Sequence, residues 1–134
     1  MKLRIRGNSL RLRLLRGEVE LFGTTGRVME TIQFGASPAA QLSYVLEADS
    51  EAQEISANFI DNKVTVSIPD SMARNWVDSD EVSLKSEQSI ENGKQNGTSE
   101  NVLKLLIEKD FVCLDRKNDA DNADAFPHPT GKCG

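Results

Sequence analysis

Between Leu3 and Leu14 the chain alternates aliphatic and arginine residues, and little else in it restricts the fold so tightly. Leu3, Ile5, Leu10, Leu12 and Leu14 interleave with Arg4, Arg6, Arg11 and Arg13. Period-two alternation puts the aliphatics on one face of a sheet and the guanidinium groups on the other. Gly7-Asn8-Ser9 interrupts the run with residues suited to a tight turn, so the segment reads as a β-hairpin.

The same order of signals continues along the chain. Arg16 to Phe22 reads as a short helix burying Val19 and Phe22, with Gly23 and Gly26 ending it, and Val28–Phe34 and Gln41–Glu47 read as strands around a turn at Gly35-Ala36-Ser37-Pro38. A second hairpin follows, with Ile55–Ile60 and Val64–Ile68 flanking Asp61-Asn62. Pro69-Asp70-Ser71 then opens a helix carrying Met72, Ala73 and Trp76; proline fits where the first helical turn has amides without intrahelical partners. After a turn at Asp78-Ser79-Asp80 come Val82 and Leu84, a polar stretch that reads as a mobile loop near 86–101, and an aliphatic strand from Val102 to Leu114.

An offset of 54 lays residues 1–30 on 55–84 without a gap, placing Leu12 on Val66, Leu14 on Ile68, Phe22 on Trp76, Asn8 on Asn62 and Val28 on Val82. The expected fold is α+β, mostly β, built from two tandem ββαββ halves. A single compact domain would span 1–115, its halves 1–48 and 54–115, followed by an acidic flexible tail, 116–134. The length of 134 residues suits one domain with a real core.

Charge is unevenly placed. The first 35 residues hold seven basic and three acidic groups; the remaining 99 hold nine and eighteen, for a net charge of −5 overall. Screening confines electrostatics to a Debye length of about 8–10 Å, so a local arginine stripe can attract an anion that the whole molecule would not. The competing reading is that the stripe pairs with the protein's own acidic strands or tail.

Gly7-Asn8-Ser9-Leu10-Arg11-Leu12-Arg13-Leu14, with the helix and strand beyond, resembles the AbrB/MazE swapped-hairpin domain. Val64-Thr65-Val66-Ser67-Ile68-Pro69 resembles the strand-to-proline step that the first half lacks, Leu15 standing there instead. The resemblance implies two interlocked copies forming a small barrel, here within one chain as a swapped-hairpin-like pseudo-dimer, with duplex DNA contacted by basic residues on exposed strands, Arg4 and Arg13 with Arg11 as a neighbour. Glu108–Asp115 and Asp124-Ala125-Phe126-Pro127 also resemble a family of small bacterial proteins without assigned function.

Other chemistry has little support. Cys113, His128 and Cys133 are the only soft ligands, weak candidates for a metal because zinc wants about four. The Asp119, Asp121, Asp124 run lacks the glycine and glutamate of a calcium loop. The sole histidine, His128, lies near prolines where a general base would be poorly held, and no phosphate-binding glycine loop is present. Met72 and Trp76, at helical spacing, read as a core contact. No cofactor and no enzyme activity is expected. With no stretch apolar enough for a signal peptide or a spanning helix, and two isolated cysteines, the chain reads as cytoplasmic, without a membrane partner. The expected function is a non-catalytic binding module contacting nucleic acid through Arg4, Arg6, Arg11 and Arg13. The alternative is a protein-interaction domain, or a homodimer formed through an exposed strand edge.

Overall fold

The computed structural model describes residues 1–90, 101–110 and 126. Eight strands and two helices follow in the order β1 (Lys2–Ile5), β2 (Ser9–Leu14), α1 (Arg16–Thr25), β3 (Arg27–Gln33), β4 (Gln41–Asp49), β5 (Ser56–Ile60), β6 (Lys63–Pro69), α2 (Asp70–Asp78), β7 (Ser83–Ser89) and β8 (Val102–Lys109). The protein is α+β and mostly strand, in two ββαββ halves, as the periodicity indicates.

The halves exchange hairpins. One four-stranded sheet runs β1-β2-β8-β7 and the other β3-β4-β6-β5, so each half's first hairpin pairs with the other half's second. Within each sheet the outer pairs are antiparallel and the central pair, β2 with β8 or β4 with β6, is parallel. The two turns differ: Gly7 has φ 55°, whereas Asp61 and Asn62 both have positive φ, at 53° and 59°. Both suit the twist of a two-residue hairpin loop.

The register fixes which residues are counterparts. Lys2 faces Arg13 and Ser56 faces Ser67, which keeps the offset of 54 across both first hairpins. Arg27 faces Glu47 and Ser83 faces Glu108, so Val28 corresponds to Leu84 rather than to Val82. The link from α2 to β7, residues 79–82, is longer than the single Gly26 between α1 and β3, and this shifts the second hairpin. Val28 and Leu84 are both buried, while Val82 uses its carbonyl to accept the Trp76 indole N–H at 3.2 Å.

A shared core of Leu12, Leu14, Phe22, Leu46, Val66, Ile68, Trp76, Leu84, Leu105 and Ile107 lies between the sheets and under the helices. Phe22 and Trp76, counterparts in the repeat, meet edge to face with centroids 6.2 Å apart, an arrangement that adds about 0.5–1.5 kcal/mol beyond burial. Gly23 and Val77, also counterparts, touch beside them: a Cβ on Gly23 would lie 2.9 Å from Val77 Cγ1. The pseudo-twofold axis therefore passes between the helices.

Gly23 does not end α1, contrary to the reading of it as a stop. Its missing side chain lets α2 approach, and the helix closes at Gly26, whose φ of 77° is the left-handed value a C-cap needs. The helix starts also differ. Glu18 accepts the Leu15 amide at 2.8 Å, whereas Pro69 at the matching position has no amide to satisfy.

Residues 86–89 of the loop expected near 86–101 are strand, and residues 91–100 lie outside the described residues. β7 continues through Ser89, with Ser86 facing Leu105 and Gln88 facing Leu103. The Gln88 side chain bonds both the amide and the carbonyl of Ala57 at 2.7 and 2.8 Å, joining the edges of the two sheets, so polar residues here serve a seam. β8 ends at Lys109, and residues 111–114 of the expected strand lie outside the described residues. So does most of the expected flexible tail, except Phe126, whose amide donates to the Asp110 carbonyl at 2.6 Å.

A candidate anion-binding face

On the sheet β1-β2-β8-β7, Leu12, Leu14, Leu84, Leu105 and Ile107 point into the core. The alternate residues therefore share the outer face. The register sets Lys2 beside Arg13, Arg4 beside Arg11, Arg11 beside Leu106 and then Lys85, and Ser9 beside Lys104 and then Glu87. Six cations, Lys2, Arg4, Arg11, Arg13, Lys85 and Lys104, thus lie on one face drawn from all four strands, with Arg6 just past the end of β1. Against them stand Glu87 and Glu108.

The intramolecular reading holds for part of the stripe. Glu108 Oε1 accepts from Arg13 Nε at 2.7 Å and pairs with Arg11 Nε at 3.4 Å. Lys2 Nζ reaches the buried Asp110 carboxylate at 3.2 Å. Arg4, Arg6, Lys85 and Lys104 form no ion pair among the described residues. Directly opposed like charges on neighbouring strands, such as Lys2 with Arg13 and Arg4 with Arg11, are destabilising. This face carries a surplus of positive charge that its own acids do not cancel.

The opposite sheet supplies an internal comparison. The counterparts of Lys2, Arg4, Arg11 and Arg13 are Ser56, Asn58, Thr65 and Ser67, and those of Lys85 and Lys104 are Met29 and Ser43. All six are neutral, while Glu108 corresponds to Glu47 and remains an acid. The second face has its own charges, Arg27, Lys63 and Glu47, where the first has Ser83, Ser9 and Glu108, so the same scaffold carries six cations on one face and two on the other.

Lys109 is a buried cation at the helix end of the first sheet, where the first half has Ala48. It is 4% exposed, and its ammonium donates to the Ser79 carbonyl at 2.8 Å and lies over the rings of Trp76 and Phe126 at 5.6 and 5.3 Å. Burial lowers its pKa, with Asp80 and Glu81 pulling the other way. Arg16 stands over the Phe126 ring at 5.9 Å. The Met1 ammonium contacts the carboxylates of Glu18 and Glu30, and the Tyr44 hydroxyl donates to the Met1 carbonyl at 3.0 Å.

Sequence reasoning singled out Arg4, Arg6, Arg11 and Arg13, and the hairpin does bring these together. It missed Lys85 and Lys104, which reach the same face only through the parallel pairing of β2 with β8, a contact with no local signal in the chain. Cys113, His128 and Cys133 lie outside the described residues, as do Asp119, Asp121 and Asp124. No cluster of metal-ligating side chains occurs among the described residues, and no described helix is long and apolar enough to cross a membrane.

Fold and face together define a duplicated, hairpin-exchanged α+β protein with a single cationic sheet surface. The pattern of a family of unknown function, DUF7009, matches residues 1–130, and the chain belongs to that family. Neither the curated proteins nor the solved structures hold a match to it.

Proposed function

We propose that the protein is a non-catalytic binding module that holds a nucleic-acid backbone, duplex DNA first, against the outer face of the β1-β2-β8-β7 sheet. The observation that carries this reading is the contrast between the faces: six cations on one, and on the other only Arg27 and Lys63, with neutral residues at all six matching positions. A stability role would not require three times as many cations on one of two equivalent sheets, and opposed arginines cost stability unless an anion lies over them. Guanidinium forks match phosphate oxygens, and Lys85 and Lys104 add point charges to the same surface. The exchanged hairpins agree with the AbrB/MazE resemblance, which remains part of this proposal.

Fluorescence anisotropy with a mixed-sequence duplex tests it. Micromolar affinity should fall with salt between about 50 and about 300 mM, with a log–log slope near −4 if four to five phosphates are neutralised. Arg4→Glu/Arg6→Glu, which breaks no ion pair among the described residues, should abolish binding. A wild type that ignores duplex at about 50 mM salt would retire the reading in favour of a protein partner.

A further inference from the structure

The cationic face is not uniformly flat. Between β2, β8 and β7 it dips into a groove of about 420 Å³ lined by Ser9, Arg11, Lys85, Glu87, Lys104 and Leu106 among others. Its shape follows from the register. Leu106 sits in the row between Arg11 and Lys85, whose strands lie about 9.5 Å apart, and its side chain is shorter than either neighbour's. Lys104 lies two residues back on the same strand, about 6.7 Å away, so three cations surround an apolar floor. Lys85 and Lys104 have no ion pair among the described residues. Arg11 uses its Nε toward Glu108, which leaves the two Nη groups for another acceptor.

We infer that this groove is a discrete subsite for one phosphoryl group, held by Arg11, Lys85 and Lys104, with the attached sugar or base against Leu106. The inference rests on the anion-binding reading of the face and narrows it. Donors approaching from three directions suit a tetrahedral phosphate, whose oxygens diverge out of one plane, better than a planar carboxylate. Glu87, the one acid in the lining, repels the phosphoryl group from its own side and offers an acceptor to a sugar hydroxyl. The phosphoryl group comes either from a polynucleotide backbone or from a free nucleotide, and the chemistry is common to both.

The test uses the full chain with two probes, a mixed-sequence duplex and AMP, and two double variants of equal charge. Lys85→Gln/Lys104→Gln empties the groove, while Arg4→Gln/Arg6→Gln removes the same charge elsewhere on the face. All four residues are exposed and outside the core. The groove variant should lose at least about tenfold more duplex affinity than the other, and duplex should shift the Leu106 methyl resonances. If AMP shifts those methyls with an apparent Kd near or below ~1 mM, and the groove variant loses this, a free nucleotide is a source as well. If only duplex does so, the source is the backbone. Equal losses in the two double variants, or nucleotide shifts away from Leu106, would overturn the subsite while leaving the face as a binder. No response to either probe would remove the subsite and the proposed function together.

Discussion

Gly23 sits inside α1 ahead of the left-handed Gly26, and one added methyl there would meet Val77 at 2.9 Å. Helix propensity alone favours alanine over glycine by up to about 1 kcal/mol. The contact should reverse that sign, because Val77 is stiff at χ1 and cannot swing aside. Gly23→Ala is expected to cost about 1–3 kcal/mol in urea denaturation, and Val77→Ala in the same chain should restore most of it. Tyr44 supplies a second residue-scale check. Burial, then the charge of Glu30 and a hydrogen bond to it, raise its pKa above 10.0. Above about pH 10 the unfolded chain loses this proton while the folded protein keeps it, so stability should fall as pH rises through the folded value. Tyr44→Phe should flatten that part of a stability–pH curve, and an unchanged slope would show the hydroxyl to be unimportant there.

At the scale of elements, a side chain rather than a strand ladder joins the edges of the two sheets. Gln88 bridges β7 to β5 with both ends of its amide, while its counterpart in the first half is Ile32, which has no polar group to do so. Gln88→Leu should cost roughly 1–3 kcal/mol, the penalty for leaving a strand amide without its partner, and hydrogen exchange at Ala57 should accelerate. A neutral result would mean that water replaces the side chain. The hairpins and helices were legible because period-two and i, i+3 patterns are local: Leu10-Arg11-Leu12-Arg13-Leu14 can only lie one way on a half-buried sheet. The seam was not legible. Ser86 to Ser89 look like loop, since the partners that make them strand lie beyond residue 101 and on the other half. The pairing of Val28 with Leu84 was hidden likewise by the longer link after α2, a length that no residue type announces.

For the whole molecule, hairpin exchange means that neither half contains a complete sheet. Fragments 1–53 and 54–134 should each be poorly folded alone and should regain strand signal by circular dichroism when mixed; a well-folded isolated half would contradict the exchanged topology. The candidate site is likewise a property of both halves. Its arginines were visible as a stripe in the sequence, but Lys85 and Lys104 join them only because β8 runs parallel to β2, pairing Ser9 with Lys104. The most direct measurement therefore replaces four cations with the residues found at the matching positions of the other sheet: Arg4→Asn, Arg11→Thr, Arg13→Ser and Lys104→Ser. Each substitute already occupies the same place on the same scaffold, so the fold should survive, as thermal denaturation would report. Duplex binding by anisotropy should vanish with it intact. A folded variant that still binds duplex with the affinity and salt dependence of the wild type would contradict the assignment of the site to this face.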